Sequence, residues 1–269
     1  MSPPRGATFV LLALACLAPP PVQAAHEPLR CAAPEEITRF AVPLPGTARA
    51  IRQGRALSIV AIGSSSTEGL GASDAAHAYP ALLAEDLRRR WPSLAVTMVN
   101  AGISGEGVSQ MAARFERDVL AHRPQLVIWQ TGSQHALGAG DVEAYAGALR
   151  EGIGRLKAAG LDVVLMDPQF APRVLARPVH ARVVDAVGAA ARELKAALFP
   201  RFALMRHWVS SGQYRMDELV TDDGLHLTDV GYGCVARQLA AGLAAAAKGS
   251  AGAAVSWKSI ANRLWPPLP

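Results

Sequence analysis

The sequence predicts an α/β fold, a three-layer α/β/α sandwich with a mainly parallel five-stranded sheet. Short apolar runs alternate with helical patterns from residue 57 onward, and such alternation is typical of a parallel sheet with helices on both faces. The runs are almost continuously apolar, as in strands that are buried on both faces. The connection rules favour a doubly wound order, with the functional site at the carboxyl ends of the strands.

Each predicted element rests on a local pattern. Residues 57–62 are nearly all apolar and predict the first strand, and residues 79–90 place leucines on one side of a helix. Asp141 suits the N-cap of a later helix, and Gly160 suits its end. In chain order, the predicted strands are residues 57–62, 95–99, 126–129, 162–166 and 202–205, and the predicted helices are residues 79–90, 107–121, 141–160, 183–198 and 229–247.

Residues 1–24 predict a secretory signal peptide. Arg5 is followed by an apolar stretch at residues 9–18, and residues 22–24 carry the small side chains that signal peptidase accepts. The stretch is shorter than the ~20 residues that span a bilayer. A lipoprotein would use Cys16 instead, but the residues before it fit that pattern less well. We therefore expect a secreted or periplasmic protein with no stable membrane span.

The rest of the chain divides into three parts. Residues 25–55 contain prolines and are weakly patterned, which favours an N-terminal strap over the domain. Residues 56–248 form the single predicted domain, since no internal repeat interrupts the alternation of strands and helices. Residues 249–269 begin rich in Gly, Ala and Ser and predict a flexible C-terminal tail.

Composition excludes several classes of protein. The chain has 269 residues, of which 51% are hydrophobic, enough for a sizeable core and against a disordered chain or a disulfide-stapled mini-protein. A net charge of +5, from 27 basic and 22 acidic residues, is too small an excess to predict nucleic-acid binding. No Cys-x-x-Cys spacing suggests a zinc ribbon. In an oxidising compartment Cys31 and Cys234 either pair or remain two buried thiols.

Three loops that follow strands or precede the last helix carry polar and glycine residues. Residues 63–69 can expose a serine at the top of the sheet, although a plain turn has the same composition. Residues 100–107 can aim a backbone N–H at a ligand or simply form a tight turn, and no phosphate-binding pattern accompanies them. Residues 222–226 place an aspartate three positions before a histidine, as in a triad, a metal half-site or a cap. Taken together, the three loops favour nucleophilic acyl transfer.

These loops, with a fourth segment, resemble the four sequence blocks of SGNH (GDSL-type) hydrolases. The blocks occur in the family order, and the resemblance extends over about residues 57–247. It implies a flavodoxin-like three-layer fold and ester hydrolysis through an acyl-enzyme, without metal or cofactor. The matching segments are Gly63-Ser64-Ser65-Ser66-Thr67-Glu68-Gly69, Asn100-Ala101-Gly102-Ile103-Ser104-Gly105, Gly132-Ser133-Gln134-His135 and Asp223-Gly224-Leu225-His226.

The resemblance also implies roles for individual residues. It assigns the nucleophile to Ser65, the general base to His226 and the orienting acid to Asp223. The oxyanion hole would be formed by the backbone N–H groups of Ser65 and Gly105, with a side-chain amide from the third block. That amide belongs to Gln134 in this chain.

Two positions depart from the family pattern. Ser64 stands where the family has an aspartate before the nucleophile, which we expect to alter loop support more than chemistry. Gln134 stands where the family has asparagine, so the amide is one methylene further from the backbone. A displaced donor predicts a slower enzyme or a rearranged oxyanion hole. His135 follows it and is either a second acid/base or, as we expect, a polar residue that faces the substrate.

The sequence therefore predicts an exported serine hydrolase of carboxylic esters, acyl or acetyl. An acyltransferase or carbohydrate deacetylase on the same triad is the alternative within enzymes, and a catalytically impaired binding protein is the alternative outside them. The expected partner is a small-molecule ester or an acylated glycan, and the expected state is a monomer. No pattern in the sequence identifies the acyl chain or the natural substrate.

Overall fold

The computed structural model describes residues 30–138 and 140–249. The predicted signal peptide and the first residues of the strap lie outside these ranges, as does the predicted tail from residue 250 onward. No helix in the described ranges is both long and apolar enough to cross a bilayer.

The described chain is built on one five-stranded sheet, in which every neighbouring pair of strands is parallel. The strand order is 2-1-3-4-5, so the first strand lies between the second and the third. This doubly wound order confirms the predicted fold class. The strands are β1 (Leu57–Gly63), β2 (Val96–Gly102), β3 (Leu126–Gln130), β4 (Asp162–Met166) and β5 (Ala197–Phe199).

Helices of very different length connect and cover the strands. Those predicted at residues 79–90 and 229–247 are confirmed to the residue. In chain order the helices are α1 (Glu35–Thr38), α2 (Pro45–Arg52), α3 (Ser65–Glu68), α4 (Tyr79–Arg90), α5 (Val108–Ala113), α6 (Phe115–Asp118), α7 (Ser133–Leu137), α8 (Val142–Ala158), α9 (Pro172–Leu175), α10 (His180–Glu193), α11 (Arg201–Ser210), α12 (Met216–Leu219) and α13 (Asp229–Ala247).

The core lies in two layers, one on each face of the sheet. Along β1, Ile59 and Ala61 pack into the layer that contains the strap, α4, α11 and α13. Val60 and Ile62 point the other way, into the layer that contains α5, α8 and α10. All four side chains are fully buried. This two-sided burial explains why the strand reads as a continuous apolar run.

The fifth strand was predicted in the wrong place. Residues 202–205 belong to α11, and the edge strand is Ala197–Phe199, which overlaps the end of the helix predicted at residues 183–198. α10 ends at Glu193, and Lys195 turns the chain with a positive φ of 52°. Residues 202–205 are apolar because α11 is buried, and a short apolar run looks alike in a buried helix and a buried strand.

The helix predicted at residues 107–121 is also shorter and broken. The chain forms α5, then α6, and then a single 3-10 turn at Leu120–His122. Arg114 separates α5 from α6, and its buried guanidinium donates hydrogen bonds to the backbone oxygens of Gly63 and Ala101. Arg114, at the break, thus links this segment to the ends of β1 and β2.

The described part of the N-terminal strap packs against α13. Phe40 is buried and its ring approaches Gly242 so closely that a Cβ there would lie 2.9 Å from it. Cys31 and Cys234 are joined by a disulfide bond, with their Cα atoms 5.2 Å apart. The strap therefore fixes the outer side of the last helix.

Candidate active site

Three loops meet at the carboxyl edge of the sheet. They follow β1, β2 and β3, which are adjacent in the strand order. Gly63 and Gly102 are paired at the ends of β1 and β2. A Cβ on Gly102 would lie 2.1 Å from the backbone nitrogen of Glu68, so only glycine allows α3 to sit this close to β2.

Ser65 is the first residue of α3, directly above the end of β1. It is only 9% exposed, yet its hydroxyl oxygen lies 2.9 Å from Nε2 of His226. Two residues later in α3, the Thr67 hydroxyl bonds to the buried Tyr79 hydroxyl and to Oε1 of Gln130. These contacts hold α3, and with it Ser65, next to the histidine.

His226 and Asp223 lie in the turn before α13. Nδ1 of His226 forms a hydrogen bond with Oδ2 of Asp223, and the other carboxylate oxygen accepts the backbone N–H groups of Leu225 at 2.8 Å and His226 at 2.9 Å. The hydroxyl of Thr221 donates to the same oxygen at 2.8 Å. Burial alone would raise the pKa of Asp223, but these hydrogen bonds outweigh it and hold the pKa well below its usual value.

The geometry of this group suits proton transfer. A carboxylate that stays ionised and bonds to Nδ1 orients the imidazole so that Nε2 faces the hydroxyl of Ser65. Nε2 can then accept the hydroxyl proton while the oxygen attacks an electrophile. The three residues predicted from the sequence are thus brought together in one chain of hydrogen bonds.

Gly105 and Gln134 lie beside each other. Gly105 has a positive φ of 81°, which favours glycine, and Nε2 of Gln134 is 3.9 Å from the point where a Cβ on Gly105 would lie. Glu68 fixes the loop next to Gly105, because its carboxylate accepts the backbone N–H of Ser104 at 2.8 Å and also bonds to the Ser104 hydroxyl. The amide of Gln134 therefore reaches the backbone turn despite its extra methylene.

His135 is packed against the protein. Its ring stacks on Tyr145, with the ring centres 4.7 Å apart, and a Cβ on Gly140 would lie 2.7 Å from the ring. Nε2 of His135 is buried without a hydrogen-bond partner among the residues that the structure describes. The same ranges contain no cluster of three or more His, Cys, Asp or Glu side chains that could hold a metal ion.

The sequence model of the non-GDSL lipase-like family matches residues 30–249, which include every element of the site. The chain belongs to this family. No curated protein sequence matches the chain.

Solved structures similar to this non-GDSL lipase-like protein include two kinds of esterase. A two-domain esterase active on acetylated mannans has a TM-score of 0.66 and 22% identity over 80% of this chain. The match covers 57% of that esterase's length. A mutant of Axe2, an acetylxylan esterase from Geobacillus stearothermophilus, has a TM-score of 0.60 and 21% identity, and covers 70% of this chain and 94% of its own. At this identity the likeness shows the shared fold.

Several buried polar residues of this non-GDSL lipase-like protein were not predicted from the sequence. Gln130, Gln169 and Arg201 are no more than 1% exposed. Gln130 ends β3 and accepts the backbone N–H of Ser64 at 2.9 Å. A glutamine that closes an otherwise apolar strand was a usable signal, because a buried amide needs partners and the ends of the strands face the site.

Proposed function

We propose that the protein is an exported serine hydrolase of the SGNH type that cleaves carboxylic esters through Ser65, His226 and Asp223. The observation that carries the proposal is the continuous contact from the Ser65 hydroxyl through the His226 ring to the Asp223 carboxylate. This order of groups suits a nucleophile, a base and an orienting acid.

Acylation begins when Nε2 of His226 accepts the hydroxyl proton of Ser65. The serine oxygen forms a bond to the ester carbonyl carbon, and the carbonyl oxygen becomes the oxyanion of a tetrahedral intermediate. His226 then gives its proton to the alkoxy oxygen, the carbon–oxygen bond to the alcohol breaks, and the acyl group remains on Ser65. The Asp223 carboxylate stabilises the imidazolium while it carries that proton.

The oxyanion is stabilised by three donors. They are the backbone N–H groups of Ser65 and Gly105 and the side-chain amide of Gln134, which lies beside Gly105. Deacylation repeats the cycle with water. His226 accepts a proton from the water as it attacks the acyl carbon, and returns the proton to Ser65 as the carboxylic acid leaves.

Comparison with the acetylxylan esterase supports this assignment. Three variants of that enzyme are described as catalytic mutants, and they replace a serine, an aspartate and a histidine. Its aspartate lies three positions before its histidine, the spacing of Asp223 and His226 here. The same order of an early serine and a late Asp-x-x-His pair favours the same division of roles.

Acetylated glycans are the substrate class that the neighbours favour. The first kind of solved esterase is active on acetylated mannans, and the second is an acetylxylan esterase. Deacetylation of a carbohydrate is therefore the second candidate within the proposed activity. It needs no change in mechanism, because the sugar hydroxyl is then the leaving alcohol.

Export is supported by the disulfide bond. Cys31 and Cys234 lie 203 positions apart and are both buried. Disulfides persist in the periplasm and outside the cell, whereas the cytosol keeps most thiols reduced. The bond therefore agrees with the signal peptide predicted at residues 1–24.

The first experiment compares Ser65→Ala with Ser66→Ala. Both serines are buried, but the hydroxyl of Ser66 has no hydrogen-bond partner in the described chain. We expect Ser65→Ala to abolish hydrolysis of a p-nitrophenyl acyl ester and labelling by a fluorophosphonate probe, and Ser66→Ala to keep both. Wild-type activity in Ser65→Ala would show that Ser65 is not the nucleophile. A wild-type protein that the probe does not label would favour the alternative of a catalytically impaired binding protein.

A second experiment identifies the acyl group and its acceptor. The wild-type rate is measured on p-nitrophenyl esters of increasing chain length, and acetate release is measured from acetylated mannan and xylan. Release of acetate from a glycan, with rates that fall beyond the acetyl ester, would favour the deacetylase. Transfer of the acyl group to an added sugar instead of water would identify an acyltransferase.

A further inference from the structure

A buried chain of side-chain hydrogen bonds links the loop after β1, the start of α7 and the turn before α13. Its members are Gln130 at the end of β3, Ser133 at the start of α7 and Gln169 after β4. None of the three is more than 4% exposed. None of them takes part in the proton transfers proposed above.

The chain connects a different loop at each end. Oε1 of Gln130 accepts the backbone N–H of Ser64 at 2.9 Å, and its Nε2 donates to the Ser133 hydroxyl oxygen at 3.3 Å. The Ser133 hydroxyl donates to Oε1 of Gln169 at 2.7 Å. Nε2 of Gln169 then donates to the backbone oxygen of Leu225 at 3.1 Å.

The direction of these hydrogen bonds is fixed at Gln169. Arg201 is fully buried, and its Nη2 donates to Oε1 of Gln169 at 2.8 Å. A guanidinium can only donate and the backbone oxygen of Leu225 can only accept, so the amide of Gln169 has one possible orientation. Burial lowers the pKa of Arg201 to about 10, which leaves it protonated at neutral pH.

Both ends of the chain, and Ser133 within it, lie one residue before a member of the site. Ser64 precedes Ser65, Ser133 precedes Gln134, and Leu225 precedes His226. A shift at Gln169 would therefore move the oxyanion donor and the base relative to each other. Misplacement of about 1 Å at a catalytic group can cost roughly 100-fold in rate.

We propose that Gln169 is a positioning residue for the hydrolysis, which sets the distance between the loop of Gln134 and the loop of His226. Arg201 holds the amide of Gln169 in the orientation that makes both contacts. The inference rests on the proposed function, because it assigns Gln169 no chemistry of its own. It differs from a purely stabilising role, in which the loss of Gln169 would lower stability and leave the turnover of the folded enzyme unchanged.

The test replaces Gln169 by methionine, which has a similar length and no amide. Gln238→Met is the matched control, because Gln238 is also buried in α13 and its amide also donates to a backbone oxygen, that of Cys31. We expect Gln169→Met to lower kcat and the rate of fluorophosphonate labelling by about 10- to 100-fold, with KM unchanged. Gln238→Met should lose thermal stability and keep the wild-type kcat.

The outcomes separate this inference from the proposed function. A loss of kcat in Gln169→Met but not in Gln238→Met supports the positioning role of Gln169. A wild-type kcat in the folded Gln169→Met protein overturns that role. If Gln169→Met does not fold, Ser133→Ala removes one hydroxyl from the same chain and should lower kcat about tenfold, whereas an unchanged kcat again overturns the inference. Failure of the wild-type protein to label at Ser65 would instead refute the proposed function.

Discussion

Oε1 of Gln130 accepts two hydrogen bonds from Ser64, one from the backbone N–H at 2.9 Å and one from the hydroxyl at 3.1 Å. The same oxygen also lies 3.2 Å from the hydroxyl of Thr67. Gln130 thus contacts residues on both sides of Ser65 in the sequence. These hydrogen bonds also explain why Ser64 suits this chain at a position where the SGNH family pattern has an aspartate. A hydroxyl can donate to the amide oxygen, and a carboxylate cannot.

Ser64→Asp would restore the family pattern, and we expect it to damage this protein. The new carboxylate would face Oε1 of Gln130, so two acceptors would meet in a buried site. Leaving such a group unpaired costs about 1–3 kcal/mol, and we expect that loss in the free energy of unfolding, measured by urea denaturation. Ser64→Ala is the control and should lose about 1 kcal/mol. A Ser64→Asp variant as stable as the wild type would contradict the prediction.

Gln134→Asn should lower activity even though asparagine is the family residue. The amide of Gln134 reaches the turn at Gly105, and asparagine is one methylene shorter. Loss of an oxyanion donor typically costs 10²–10³-fold in kcat, so we expect a fall in that range on a p-nitrophenyl ester. Gln134→Ala sets the value for complete loss of the donor. A Gln134→Asn rate at or above the wild-type rate would mean that glutamine is the poorer donor.

Asp167 should make stability fall as the pH rises. Burial raises its pKa to about 7 from 3.8, although the backbone N–H of Phe202 and the charge of Arg201 both lower it. The folded protein therefore holds the proton more tightly than the unfolded chain. This contribution is complete below pH 3.8 and is lost as the pH rises through about 7.

Asp167→Asn tests this dependence. An asparagine can still accept the Phe202 N–H and does not titrate, so the unfolding free energy of the variant should change less between pH 4 and pH 8 than that of the wild type. We expect the variant to be the more stable of the two at pH 8. The unfolding free energy is measured by urea denaturation at each pH. An equal change with pH in the variant and the wild type would show that Asp167 does not titrate as described.

Removal of the disulfide should lower stability with little effect on turnover. Cys31 and Cys234 close a loop of 203 positions, for which chain entropy gives a loss of about 5 kcal/mol. The double variant Cys31→Ser, Cys234→Ser should therefore unfold at lower guanidinium concentration. The hydrogen bonds of Asp223 and His226 involve neither cysteine, so kcat of the folded variant should stay at the wild-type value. Superimposable unfolding curves would refute the effect.

Much of the fold follows from local sequence patterns. Asp141 does cap α8 through the backbone N–H of Glu143, and the Thr228 hydroxyl caps α13. The edge strand was misplaced because a strand of three residues carries too little periodicity to be distinguished from a helix. The disulfide was left open for a different reason, since a pairing over 203 positions depends on the packing of the strap and not on either local sequence.

The site was predictable where its residues lie in contiguous motifs. Ser65, Asp223 and His226 were predicted together because each lies in a recognisable loop. The structure brings them into contact. The role of Ser65 as the nucleophile is what Ser65→Ala tests. Gln169 and Arg201 were missed because each stands alone in the sequence. Their contacts with Ser133 and Leu225 exist only once β4, α7 and α11 are packed.

The position of α13 has a consequence for biosynthesis. Ser65 leaves the ribosome 161 residues before His226, and α13, which follows the histidine turn, must still pack against a strap made at the start. A partly synthesised chain thus carries the serine without the histidine, and the layer that holds α4 and α11 still lacks α13. The proposed triad can therefore form only after synthesis has passed His226, when all five strands of the sheet have already been made.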